Sequence, residues 1–204
     1  MDKNIPIVIA VEDYLSEAVL KVMFKQSTRA YEVSNCLGRQ GSGYLKKKIK
    51  GFNQAAKGMP FFVLTDLDQT DCPPLLIDKW LSIPKHENLL FRIAVREIES
   101  WLLAHRTAIA SFFGVRKNLL PSDPDNLGDP KGFLIRLATK SRKSELKKAI
   151  VPANGSTAKI GPDYNGTLIS FVRDSWQVKE ASKFSPSLRK AFNAIEKFKP
   201  VYAK

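Results

Sequence analysis

Three short apolar runs, each closed by carboxylates, constrain this chain more than any other feature. Ile5–Val11 is followed by Glu12 and Asp13, Phe61–Thr65 by Asp66 and Asp68, and Leu89–Val95 by Glu97 and Glu99. Each run is rich in β-branched or aromatic residues and too short for a buried helix, so each reads as a strand buried on both faces. Segments of helical period lie between them. Strands alternating with helices fold as an α/β domain with a largely parallel sheet flanked by helices. In such sheets ligands bind beyond the carboxyl ends of the strands, which is where the three sets of acids would meet.

The rest of the chain fits around that frame. Ala18, Val19, Val22 and Met23 form an apolar stripe behind Asp13 and Ser16, either of which can cap a helix. Tyr31–Leu37 is a weaker strand. Gly38-Arg-Gln-Gly-Ser-Gly43 has the glycine spacing of a phosphate-binding loop, but Tyr44 stands where that loop needs lysine, so it reads as a flexible turn. Tyr44–Lys57 is a basic helix with Leu45, Ile49 and Phe52 inward. Leu75–Leu81 is a short helix behind Pro73-Pro74, with Asp71 as its expected cap. Arg96–Ala104 has helical period, and Arg96 can pair with Glu97 or Glu99 along it. Trp101 reads as core.

After Gly114 the character changes. Pro121, Pro124, Gly128 and Pro130 punctuate a loop, and only helices are expected beyond it, over 131–140, 142–150, 164–176 and 185–198. The chain therefore divides into residues 1–115, an α/β core, and 116–204, a helical, basic C-terminal part packed on that core.

Charge narrows the function classes. Thirty-three Lys+Arg against 20 Asp+Glu leave a formal net charge of +13, which favours a polyanionic partner, most often nucleic acid. Apolar content of 44% and charged content of 26% exclude general disorder and coiled-coil rods. No apolar run approaches the ~18 residues of a membrane span. Ile5–Val11 lacks a basic lead-in and a cleavage site, so a cytoplasmic protein without a membrane partner is expected. Cys36, Cys72, His86 and His105 are too few for a disulfide framework or a zinc cluster, and both thiols are expected free.

Several carboxylates in one place repel one another unless a cation sits among them. Oxygen ligands and a phosphate substrate suit Mg²⁺, or Mn²⁺ in its place. Such sites support phosphodiester chemistry, in which one ion activates water and a second stabilises the leaving oxygen. Taken singly, each acid is equally well explained as a helix cap or turn former. Their recurrence at three strand ends is the informative part.

The order Val11-Glu12, then Thr65-Asp-Leu-Asp68 behind an apolar strand, resembles a TOPRIM domain. That is the metal-binding domain shared by topoisomerases, primases and OLD-type nucleases. Val11-Glu-Asp-Tyr-Leu-Ser-Glu17, Val95-Arg-Glu-Ile-Glu-Ser-Trp-Leu-Leu-Ala104, Asp129-Pro-Lys131 and Gly161-Pro-Asp-Tyr-Asn165 extend the resemblance to a small bacterial TOPRIM-like group. Members of that group are often found beside ATPases of phage-defence type. The resemblance implies that Glu12, Asp66 and Asp68 are metal ligands and that Glu99 is a second-metal ligand, with Glu97 as its competitor. It also implies a lysine that stabilises charge in the transition state, for which Lys131 and Lys159 are the candidates. Two positions depart from the pattern. Asp13 stands where the family has glycine, and His105 where it commonly has an acid.

Two basic stretches could track a nucleic-acid backbone. Between Glu32 and Asp66 there are six basic residues and no acid, with Lys46, Lys47, Lys48 and Lys50 in one run. Lys131 to Lys148 holds seven basic residues, among them Arg136, Lys140, Arg142 and Lys143, against the single acid Glu145. The second stretch follows the loop expected near the acids and is the preferred one. The expectation is a Mg²⁺- or Mn²⁺-dependent nuclease acting on DNA or RNA, an effector of anti-phage defence. The alternative is a non-catalytic TOPRIM-like subunit that binds nucleic acid or regulates an ATPase partner.

Overall fold

The computed structural model describes residues 4–202. It is an α/β fold around a four-stranded, all-parallel sheet in the order β2-β1-β3-β4. The strands are β1 (Ile5–Val11), β2 (Tyr31–Gly38), β3 (Phe61–Asp66) and β4 (Leu89–Ala94). The helices are α1 (Tyr14–Gln26), α2 (Ser42–Ala55), α3 (Pro73–Trp80), α4 (Ile98–Ala104), α5 (Arg106–Phe113), α6 (Pro130–Thr139), α7 (Ser144–Ile150), α8 (Tyr164–Asp174), α9 (Val178–Ala181) and α10 (Pro186–Lys197). Among these residues no helix is long and apolar enough to cross a membrane. Cys36 and Cys72 are free thiols.

Strand alternation sorts the apolar side chains into two cores. Val8, Ala10, Phe61, Val63, Phe91 and Ile93 face α2 and α3, meeting Leu45, Ile49, Phe52 and Leu76. Ile7, Ile9, Val11, Phe62, Leu64 and Leu90 face the opposite way, into a larger core built by α1, α4, α5 and all the helices from α6 to α10. Trp101, Trp176, Tyr164 and Phe171 are its large buried members, so Trp101 is core as expected. Residues 116–202 thus roof one face of the sheet and share a core with it.

The chain order creates a crevice. β1 is followed by a crossover to β2 on one side, and β3 by a crossover to β4 on the other. Right-handed crossovers in opposite directions carry their helices to opposite faces. The carboxyl ends of the neighbouring strands β1 and β3 are left uncovered between them, the usual place for a ligand in an open α/β sheet.

Several local expectations are corrected. Arg96–Ala104 is not one helix: the chain bends at Val95–Glu97, and α4 begins only at Ile98. Arg96 pairs with neither Glu97 nor Glu99; its Nη1 donates to the carbonyls of Asp68 (3.2 Å) and Thr70 (2.8 Å). Asp71 does not cap α3, whose first turn is preceded by Cys72 and opened by the two prolines. Asp13 does cap α1, accepting from the Ser16 N–H at 2.8 Å. The Gly38–Gly43 turn is a clamp on the end of β1: Arg39 N–H donates to Val11 O at 2.8 Å and Gly41 N–H to Glu12 O at 3.0 Å. Gly38 has φ +93°, and a Cβ there would lie 2.2 Å from Val11 O, so only glycine lets the two strand ends approach this closely.

Candidate metal centre

Glu12 and Asp66 meet at the crevice. Glu12 Oε1 accepts the Asp66 N–H at 2.8 Å and the Thr65 hydroxyl, so the end of β3 fixes the acid that follows β1. Burial raises the Glu12 carboxyl above its ordinary range; the bonds from Thr65 and Asp66 oppose this, and Asp68 and Asp13 reinforce it. Asp66 is pushed well above the usual carboxylate range, by burial first and then by the charges of Glu99, Glu12, Asp13 and Asp68. The acids of the three strand ends therefore feel one another, as parallel neighbours should.

Asp68 is held in the left-handed region, at φ +49°. Asp tolerates this conformation better than most residues, but it still costs a kcal/mol or so. Arg96 enforces it. Its carbonyl accepts the N–H groups of Leu67 and Asp68, both at 3.0 Å, while its guanidinium grips the carbonyls on the other side of the turn.

The bend after β4 separates the two glutamates that the sequence leaves competing. Glu97 Oε2 accepts the Lys131 backbone N–H at 2.9 Å, holding the first turn of α6. Glu99, on the first turn of α4, is only 2% exposed. Its Oε1 accepts from the Tyr164 hydroxyl at 3.0 Å and lies 3.5 Å from Lys131 Nζ. Its Oε2 is buried and has no hydrogen-bond partner among the described residues. Burial pushes the Glu99 carboxyl up to about 7 against the pull of Lys131, with Glu97 adding repulsion and Tyr164 opposing it. The Tyr164 phenol is raised in turn, by burial and by Glu99, and stays protonated as the donor.

The lysine alternatives also separate. The Lys131 ammonium loses solvent by burial, but Glu99, Glu97, Asp66 and Asp13 outweigh that loss and raise its pKa. It is brought there by the start of α6. Asp129 caps the helix by accepting the Gly132 N–H at 2.8 Å, and Pro130 occupies the first turn. Gly132 leaves room for that cap, since a Cβ would fall 1.9 Å from Asp129 Oδ2. Lys159 lies exposed in the 151–163 loop and makes no ion pair among the described residues.

The two basic stretches fall in different places. Lys46, Lys47, Lys48 and Lys50 are exposed on α2. Arg136, Lys140, Arg142 and Lys143 are exposed at and beyond the far end of α6, the helix that begins with Lys131 at the acids. Arg136 pairs with Asp129 at 3.3 Å, and the Lys143 ammonium donates to Ser111 O at 3.2 Å. Lys140 and Arg142 line a depression of about 480 Å³ together with Arg116. Tyr164 and Arg116 are the residues that sequence reasoning missed. The Gly161-Pro-Asp-Tyr-Asn165 stretch was the one signal that contained the first.

The side chains offer hard oxygen on several mutually repelled carboxylates, and one buried carboxylate oxygen lacks a partner among the described residues. Both features fit Mg²⁺ or Mn²⁺. Among the described residues, however, no three His, Cys, Asp or Glu side chains are gathered closely enough to form a ready-made cage. No family model, no curated protein and no solved structure matches the chain.

Proposed function

We propose that this chain is a Mg²⁺- or Mn²⁺-dependent phosphodiesterase acting on nucleic acid. The observation that carries the reading is the unpartnered Glu99 Oε2, buried beside Lys131 at an end of the sheet where Glu12, Asp66 and Asp68 also crowd. A buried carboxylate oxygen without a donor is costly. A divalent cation would remove that cost and the repulsion together.

In this reading Asp66, Asp68, Glu12 and Glu99 hold the ion, which when bound supplies Lewis-acid activation of water and of a phosphoryl oxygen. Lys131 faces the charge that grows on the phosphate in the transition state. Tyr164 keeps Glu99 oriented, Thr65 and the Asp66 N–H do the same for Glu12, and Arg96 fixes the Asp68 turn. Such supporting bonds set the orientation and basicity of ligating carboxylates. Arg116, Lys140 and Arg142 would engage phosphates flanking the reacting one.

The test is calorimetric titration with Mn²⁺, wild type against Asp66→Ala/Asp68→Ala, paired with hydrolysis of DNA and RNA oligonucleotides. Binding and hydrolysis in the wild type and loss of both in the variant are expected. Full hydrolysis by the variant, freed of contaminating nuclease, would sink the proposal.

A second reading has its own support. The acids do not form a closed cage, and Glu12 already accepts two hydrogen bonds at the oxygen that faces β3. A non-catalytic subunit that binds nucleic acid beside an ATPase would need no ion. It predicts unchanged nucleic-acid affinity in EDTA and no Mn²⁺ uptake. The ATPase partner and the place in phage defence rest on the TOPRIM-like resemblance.

A further inference from the structure

Arg92 is out of place for a structural residue. It projects from the edge strand β4, with no hydrogen bond and no ion pair among the described residues, and its Nε is shut off from solvent. Burial alone acts on it, lowering its pKa, and no carboxylate offsets the effect. Arg92 as a whole is half-buried and its Nη groups reach solvent, but a buried Nε–H without an acceptor is unfavourable unless something else supplies one.

The surroundings supply space instead of an acceptor. Arg92 opens on a cavity of about 330 Å³ that wraps the free edge of β4. Pro73, Pro74 and Ile77 of α3 form one wall, Phe91, Ile93 and Val95 the floor, and Pro186, Ser187 and Lys190 of α10 the other wall. Asp125 also lines it, but that carboxylate accepts from Ser185 Oγ (2.6 Å) and the Ser187 N–H (2.8 Å), and so is engaged in holding the start of α10. Lys85, outside the cavity lining, has its pKa lowered by burial first and then by the charge of Arg92. The cavity is thus mostly apolar, with Arg92 and Lys190 as its cations. Its volume is at the small end of ligand pockets, roughly 300–1,000 Å³.

We propose that this cavity is a binding site for a small anionic ligand, a phosphate or carboxylate carried on a flat or apolar body, with Arg92 clamping the anion and Lys190 beside it. Guanidinium binds either oxyanion through paired hydrogen bonds, and the apolar walls suit the body. The site is separate from the acids at the strand ends and does not depend on the phosphodiesterase reading.

The test uses three probes on the whole protein: inorganic phosphate, adenosine monophosphate and benzoate, each titrated by calorimetry. Either of the last two should bind at least tenfold more tightly than phosphate, and which one does so identifies the anion. Arg92→Met should weaken that binding at least tenfold, and Lys190→Ala, a surface change, by a smaller factor. Asp66→Ala/Asp68→Ala should leave it unchanged. Thermal melting without probe supplies a second readout. Arg92→Met should melt at or above the wild-type temperature, because a half-buried charge with an unpartnered Nε has been removed, whereas a structural arginine would lower it. Absence of binding by all three probes, equal binding by Arg92→Met, or a lower melting temperature for that variant would overturn the proposal. Phosphate binding as tightly as the larger probes would overturn the role given to the apolar walls.

Discussion

The two faces of the sheet are covered by very different means. One face carries α2 and α3, whose Leu45, Ile49, Phe52 and Leu76 close a small core and whose lysines are exposed. The other face carries α1 and a roof of C-terminal helices. That roof also reaches round to the strand ends: α6 delivers Lys131 and α8 delivers Tyr164 to Glu99. No side chain of α2 or α3 bonds to the acids among the described residues, whereas the second face couples packing to the site. The sheet itself holds Glu12, through Thr65 and the Asp66 N–H, but the partners of Glu99 come from the layer laid over it.

The sharpest test of that contrast truncates each core in turn. Trp176, buried at the end of α8, donates from Nε1 to Trp101 O at 3.0 Å. Trp176→Ala should cost about 3–5 kcal/mol in denaturant unfolding and weaken Mn²⁺ binding at least tenfold by loosening α8. Leu45→Ala should cost about 2–5 kcal/mol and leave Mn²⁺ affinity within about twofold. Equal loss of affinity in the two variants would erase the distinction between the faces.

Smaller changes sharpen it. Lys131→Met should lower hydrolysis roughly 100-fold while Mn²⁺ binds as well or better, because a competing positive charge is gone; stopped assays alongside calorimetry separate the two. Tyr164→Phe removes one hydroxyl from Glu99 and should weaken Mn²⁺ binding about tenfold, the usual penalty for losing a supporting bond to a ligand. The smallest effect concerns the basic patches. Arg116→Ala/Lys140→Ala/Arg142→Ala should reduce the salt dependence of oligonucleotide binding by about three phosphate contacts, one for each residue. Lys46→Ala/Lys47→Ala/Lys48→Ala, on α2, should leave that slope unchanged.

What was legible in the sequence follows the same division. β1, β3 and β4 are buried on both faces, so continuous apolar runs announced them, and their acids came with them. β2 is an edge strand with half of its side chains in water, and its signal was correspondingly faint. The bend at Val95–Glu97 carries no glycine or proline and interrupts a stretch with unbroken helical period, so nothing local marked it. α5 follows α4 across His105, again with no breaker residue. The choice between Glu97 and Glu99 depends on that bend, and the choice between Lys131 and Lys159 on where α6 packs. Tyr164 and Arg116 are brought to their places by tertiary contacts across dozens of residues, which periodicity does not encode. Arg92 sat unremarked inside a run that read as a strand, since a lone charge there is visible as an orphan only once its neighbours are known.

The roof also has a consequence in time. Tyr31 donates to Ile195 O at 2.6 Å, Thr28 N–H to Glu196 at 3.0 Å, and Asn88 exchanges two hydrogen bonds with Val201. β2 and the segments leading into β2 and β4 are thus fastened to α10 and the residues behind it. At about 5–20 residues per second, a ribosome needs roughly 4–17 s to add residues 116–202 once residue 115 is in place. Early in that interval only α1, α4 and α5 are present to cover Ile7, Ile9, Phe62 and Leu64, and Glu99 lacks the Tyr164 hydroxyl until α8 is made. The surroundings of Glu99 are therefore complete only once α8 has been made, more than 60 residues of chain after Glu99 itself.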